Sequence, residues 1–196
     1  SSAASDVYKR QLNYQYDRSF LIVDITKPRE PSTVKSYNFS ESPWKETIYV
    51  SDDYTYLHGA DESLWKVNIN IPSGFEKIYY SNTHETENIE IQGDYAYIAT
   101  SSGDLKIVNI TNPVDPEEIG NYHNTRIFDI AVNDDLAYTT NRGSFGGDIK
   151  NDLTIIDVSN PREPVELGSY DLPGAVWGVA IDDEYIYIAA GTDGVY

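Results

Sequence analysis

The chain has 196 residues, with 32 Asp and Glu against 14 Lys and Arg, a formal net charge of −18 and a pI near 4.3. That balance excludes a nucleic-acid-binding surface, which needs a basic footprint, and docking on anionic lipid. No cysteine is present, which rules out a disulfide frame and a thiolate metal site, and no apolar run reaches the roughly 18 residues of a membrane span.

The first stretch, residues 1–11 (SSAASDVYKRQ), resembles a transposase-type sequencing adaptor translated in frame. It reads as a non-native artefact and is set aside from fold reasoning. Residues 12–196 read as a single partial domain, and the closing GTDGVY stops in mid-pattern. The chain is therefore expected to be a piece of a longer protein.

Beyond the leader, one phrase recurs in chain order: FLIVDITKPREP at 20–31, LWKVNINIP at 64–72, LKIVNITNPVDP at 105–116 and LTIIDVSNPREP at 153–164. Aligned on Asp24, Asn68, Asn109 and Asp157, the copies are 44, 41 and 48 residues apart. Their prolines Pro28, Pro72, Pro113 and Pro161 coincide. The second copy is degenerate, with Lys66 where the others keep Ile. Between the copies runs a second phrase: IYVSDDYTYL, IEIQGDYAYI, IAVNDDLAYT and VAIDDEYIYI. A period of 41–48 residues built of short strands predicts propeller blades rather than a helical repeat.

Each repeat reads as four antiparallel strands. In the last repeats, strand c is LTIIDV and strand d VELGSY; strand a is VAI, an acidic turn follows, and strand b carries Tyr185 and Tyr187. Strand c is apolar on both faces, for example Leu105 and Ile107 on one and Val108 and Ile110 on the other. A strand with one wet face would alternate, so strand c must be covered from both sides by neighbouring copies. The fold class is thus all-β: a β-propeller fragment of about four four-stranded antiparallel blades, with repeat cores at 20–63, 64–104, 105–152 and 153–196. The Asp or Asn after each apolar run is expected to bond backbone N–H groups in the next turn, and the proline to end the strand. The Tyr-x-Tyr rings are expected to pack on the next blade with their hydroxyls at the rim.

The phrases LIVDITKP, LKIVNITNP and LTIIDVSNP, each paired with a DYAYIAT- or DEYIYIAAG-like segment, resemble the LVIVD repeat family. The resemblance implies a β-propeller, commonly of about seven blades, in a secreted or surface-exposed protein. It implies no defined reaction or ligand.

Antiparallel order puts the d–a and b–c loops on one face of such a ring and the a–b and c–d turns on the other. The second face is monotonous: Ser51-Asp52-Asp53, Gln92-Gly93-Asp94, Asn133-Asp134-Asp135 and Asp182-Asp183-Glu184 read as hairpin turns. On the first face the sequence varies. Tyr138 to Leu153 spans 15 residues, where Tyr56 to Leu64 and Tyr97 to Leu105 span 8, and the added part is glycine-rich around RGSFGGDIKND. No GK[ST] follows these glycines, so they make no phosphate loop, and no GxSxG elbow is present. Non-repeating residues on a repeating scaffold mark where function sits.

Two functional readings follow. The favoured one is a non-enzymatic interaction module of a surface or secreted protein, with no cofactor, binding a protein or carbohydrate partner through Trp44, His84, Arg126, Phe145 and Trp177. The alternative is a lactonase-like metal-dependent hydrolase. There Glu46, Glu87, Asn88 and Asp129, at the start of the inner strands, would hold a hard cation such as Ca2+ at the channel mouth. No nucleic acid and no membrane insertion are expected, and the location is expected to be extracellular or at the cell surface.

Overall fold

The computed structural model of the chain describes residues 8–13, 19–38, 48–50, 54–58, 63–68, 75–80, 86–112, 115–123, 127–141, 152–172, 176–182, 184–190 and 194–196. These residues hold strands and turns and no helix. The chain divides into two compact units, Ser1–Trp44 and Lys45–Tyr196.

The first unit holds one antiparallel sheet of β1 (Tyr8–Asn13), β2 (Ser19–Asp24) and β3 (Ser32–Asn38), in that order. Tyr8 to Gln11 of β1 lie within the adaptor-like leader. The second unit holds four sheets. The first is β4 (Ile48–Val50), β5 (Tyr54–His58), β6 (Ser63–Asn68) and β7 (Phe75–Tyr80). The next is β8 (Thr86–Gln92), β9 (Tyr95–Thr100), β10 (Asp104–Asn109) and β11 (Glu117–His123). Then come β12 (Asp129–Asn133), β13 (Leu136–Thr140), β14 (Leu153–Asp157) and β15 (Val165–Tyr170). The last sheet pairs β16 (Gly178–Ile181) with β17 (Ile186–Ala189), and Val195 bridges to Ala189. Each four-stranded sheet is an up-and-down blade in which strands a to d follow chain order. Among the described residues three sheets are complete four-stranded blades of the expected kind, with a three-stranded sheet earlier in the chain and a two-stranded one after them.

Strand c is buried as its pattern demands. In β10, Leu105, Ile107 and Val108 are all fully buried. Leu105 and Ile107 join Tyr97, Ala99, Ile130, Ala137 and Ile156 in the cluster between the β8–β11 and β12–β15 sheets. Val108 and Ile110 join Tyr56, Ile89, Ile91 and Ile98 in the cluster toward the β4–β7 sheet. A third cluster of Tyr138, Leu153, Val176 and Ile188 lies between the last two sheets. Each fully buried Ile or Leu contributes about 1.5–3 kcal/mol, which a single sheet facing water could not collect. The strands a stack in the same way: β8 packs against β4 and β12, and β12 against β16.

The degenerate second copy keeps the architecture. Lys66 sits directly opposite Tyr56 in the β5–β6 pairing and carries its ammonium 5.8 Å from that ring's centre. A long aliphatic stem covers the apolar surface and the charge meets the ring face.

The turns are capped as expected. The carboxylate Oδ1 of Asp24 accepts from Thr26 N at 2.8 Å, Asn109 Oδ1 from Thr111 N at 2.9 Å, and Asp157 Oδ1 from Ser159 N at 2.9 Å. The bonds from Thr26 and Ser159 hold the Asp24 and Asp157 carboxyls below the usual range. Asn109 begins a glycosylation-type triplet, yet its amide oxygen already serves this turn. The β8–β9 and β12–β13 connections are two-residue hairpin turns, with Gly93 at φ 57° and Asp134 at φ 50°. They are tied to the end of strand c: Ile110 N donates to Asp94 O and Val158 N to Asp135 O, both at 2.8 Å.

Two features had no sequence signal. The pairing of strands c and d slips by one residue, a β-bulge, at Ile22/Val23, Ile107/Val108 and Ile155/Ile156, and two positions earlier in the degenerate copy at Leu64/Trp65. The second feature is a contact between sheets at Gly120 of β11. A Cβ there would sit 1.9 Å from the carbonyl oxygen of Pro161. Only glycine lets the c–d turn of the following sheet lie against this strand.

Gly120→Ala forces two backbones apart and is expected to cost about 1–3 kcal/mol in urea unfolding. Gly168→Ala, at the same register position of β15 with nothing within 4 Å of its Cβ, is expected to stay within about 0.5 kcal/mol of the parent. Equal midpoints for the two variants would contradict the close approach.

Candidate functional site

The face formed by the d–a and b–c connections is best defined where β8, β12 and β16 begin. Aligned on the repeat, corresponding residues near their starts are Asn88 on β8, Asp129 on β12 and Gly178 on β16. Asn88 Oδ1 accepts from Ile89 N at 2.7 Å, and Asp129 Oδ1 accepts from Ile130 N at 2.9 Å. Each side chain thus folds back on its own strand. Each also reaches the next sheet: Asn88 Nδ2 donates to Asp129 Oδ1, and Val179 N donates to Asp129 Oδ2 at 2.8 Å. Gly178 leaves room for the second link, since a Cβ there would stand 3.2 Å from Asp129 Oδ2, a tight contact. A polar chain therefore crosses three sheets at the mouth of the inner strands. It satisfies backbone N–H groups that would otherwise be left without partners between sheets.

The residue just before each of these positions is Glu87 within β8, Phe128 before β12 and Trp177 before β16. The Phe128 and Trp177 rings meet edge to face, with centres 6.3 Å apart and planes at 89°. Their backbones are fixed: Phe128 N donates to Thr140 O at 2.7 Å and Trp177 N to Ala189 O at 2.8 Å. Trp177 remains 40% exposed and Phe128 half-buried, so the pair is a rigid aromatic step open to solvent.

A second polar group lies toward the outer end of the same face. Asp104 Oδ1 bonds His123 Nδ1 at 2.8 Å, and Ser102 Oγ donates to Asp104 Oδ2 at 2.8 Å. Partial burial opposes ionisation of Asp104, but the bonds from His123 and Ser102, with the charge of Lys106, outweigh it and hold the carboxyl below its usual range. The acid stands between the hydroxyl and the imidazole. A nucleophilic triad needs the imidazole on the hydroxyl, so this arrangement orients His123 and does not activate Ser102.

Glu90, two residues along β8 from Asn88 and opposite Tyr97, is a carboxyl with a large shift upward. Desolvation by the neighbouring sheet, followed by the charge of Asp129, pushes it up to about 7.

Of the residues expected to bind a partner, Trp177 is on this face and pairs with Phe128. Trp44, His84, Arg126 and Phe145 lie outside the described residues. Of the residues expected to hold a cation, Asn88 and Asp129 are in direct contact, and both Asp129 oxygens already accept N–H donors. Glu87 is half-buried beside them in sequence, and Glu46 lies outside the described residues. Among the described residues, no group of three or more His, Asp or Glu is placed to hold a metal ion. Sequence reasoning missed Phe128 and the Asp104–His123 pair. The signal for Phe128 was available, because aligning the starts of the strands a puts it at the position of Trp177.

Stacked four-stranded antiparallel sheets, each leaning on the next, with repeat-specific loops gathered at one end, define a β-propeller-type repeat protein. The sequence matches the LVIVD repeat over residues 13–39, 84–124, 128–172 and 173–195, and the chain belongs to that family. The degenerate second copy falls outside these segments. Among curated proteins, no sequence matches. Solved structures are similar in fold. One, a functionally unknown protein from Desulfotomaculum acetoxidans DSM 771, shares 14% identity with a TM-score of 0.71, covering 89% of this chain and 57% of that one. The chain thus spans little more than half of that structure. A computationally designed protein, Ika4, gives a TM-score of 0.60 at 14% identity over 81% of this chain and 92% of its own. A chain in an S. cerevisiae complex of Dbp5 with Nup159, Gle1, IP6 and ADP gives 0.58 at 11% identity, covering 90% of this chain and 54% of that one.

The Glu90 shift has a signed consequence. Its folded value is raised above the ordinary 4.5, so its contribution to stability is full below that value and is lost as pH rises through about 7. Glu90→Gln is expected to match the parent in thermal midpoint at pH 4.5 and exceed it at pH 8, and identical pH profiles for the two would refute the assignment.

Proposed function

We propose that this chain is a non-enzymatic interaction module of a surface or secreted protein, holding a protein or carbohydrate partner on the d–a/b–c face. The Phe128–Trp177 step carries the reading. An aromatic pair whose backbones are locked by inter-strand bonds offers contact area with little side-chain entropy left to lose. The stacking sheets beneath it supply rigidity, and the Asp104–His123 pair adds a polar contact on the same face. The placement outside the cell rests on the family resemblance. In the hydrolase reading a cation at Asp129 would share its oxygens with the N–H donors of Ile130 and Val179 that link the sheets.

The experiment is glycan-array and surface-protein binding with the full chain and with Trp177→Ala combined with Phe128→Ala. The double variant is expected to keep its far-UV spectrum and lose binding by about tenfold or more. Full binding by a folded double variant overturns the proposal. Millimolar calcium is expected to leave the thermal midpoint unchanged; a rise that disappears in chelator and in Asp129→Ala would favour the hydrolase instead.

A further inference from the structure

The turn after β10 uses only half of an amide group. Asn109 Oδ1 accepts from Thr111 N at 2.9 Å and from the Thr111 hydroxyl. Among the described residues no hydrogen bond engages Asn109 Nδ2. An amide is planar, so donors that hold its oxygen also fix its nitrogen and turn it away from them. Asn109 is half-buried at the end of its strand, and Thr111 and Asn112 beyond it are exposed. This opening belongs to a sheet that packs on both of its faces.

The turn itself does not require an asparagine. Asp24 accepts Thr26 N and Asp157 accepts Ser159 N through the same Oδ1, with a hydroxyl residue in the same place. A carboxylate serves those two turns as the amide serves this one, but it has no nitrogen to offer. In the third copy the same local bonding therefore leaves Asn109-Ile110-Thr111, the acceptor pattern for an N-linked sugar. A sugar on Nδ2 keeps both bonds to Oδ1 in place. It also lies away from the d–a/b–c face: Asp104 begins β10 and Asn109 ends it, about 17 Å further along the strand.

We propose that Asn109 is an N-glycosylation acceptor. Its co-substrate is a polyprenyl-phosphate-linked sugar, delivered by a transferase of the exporting cell. Asn109 Nδ2 forms the new bond to the anomeric carbon. The bond from that carbon to the phosphate oxygen breaks, its electron pair leaves with the phosphate, and one Nδ2 proton passes to a base of the transferase. The inference rests on the reading of the chain as part of a surface or secreted protein, because only an exported chain meets such a donor. A bulky glycan at this position covers the c–d turn and leaves the Phe128–Trp177 step open to a partner.

The full chain, exported from a eukaryotic secretory host behind a cleavable leader, tests the acceptor. Peptide mapping is expected to find glycan mass on the peptide that holds Asn109, and aspartate at position 109 after release by peptide N-glycosidase. Mapping keeps this peptide apart from the chain's other triplet of the pattern, Asn38-Phe39-Ser40. Asn109→Asp and Thr111→Ala are each expected to lose the glycan. Made in a bacterial cytoplasm, Asn109→Asp is expected to match the unglycosylated parent in thermal midpoint, since it keeps the acceptor oxygen of the turn. The leader imposes export, so an unmodified Asn109 overturns the acceptor and leaves the proposed partner face standing. Glycan that persists in Thr111→Ala also overturns it, as does a lowered midpoint for Asn109→Asp, which would mean that the fold itself uses Nδ2.

Discussion

Strand c has two greasy faces, and that constraint organises the molecule. Leu105 and Ile107 point into one inter-sheet cluster while Val108 points into another. No isolated sheet can bury both sides of its own strand, so each sheet of the second unit requires a neighbour and each neighbour requires the next. Tyr97 and Tyr138 show the effect on strand b: both are buried, at 2% and 9% exposure, beneath the sheet that follows, while Tyr187 on β17 is 44% exposed.

Stacking by apolar contact alone sets no register, and polar links supply it. At one end, Asn88 and Asp129 each accept a backbone N–H of their own strand, Asn88 Nδ2 donates to Asp129 Oδ1, and Asp129 Oδ2 accepts from Val179 N of the next sheet. At the other, Gln92 Nε2 donates to Asp134 O at 2.6 Å across the same pair of sheets. At the outer edge, the Pro161 turn presses on Gly120. Three anchor points along one interface fix its angle as well as its spacing. With the scaffold held in this way, the residues that differ between repeats do not have to hold it, and Phe128 with Trp177 is a pair this arrangement brings together.

The residues proposed for a cation show how much a chemical type depends on its neighbours for meaning. Acids at the starts of inner strands are a reasonable place to look for a hard-metal site. In the structure, Asp129 spends its oxygens on amide donors, and Asn88 bridges to it. Their type was legible, but their partners were not, because those partners come from sheets 41 and 50 residues apart in the chain.

The sequence by itself determined the class of fold, the strand order within a blade and the capped Asn-Pro turns, because these depend on period, alternation and local bonding over a few residues. It also identified Trp177 as a residue apart from the repeat. The c–d bulges, the glycine that admits a neighbouring turn, the polar chain through Asp129 and the pairing of Phe128 with Trp177 were decided only in three dimensions. Each depends on the distance between two sheets, a quantity set by how their side chains interlock and written in no single stretch of the chain.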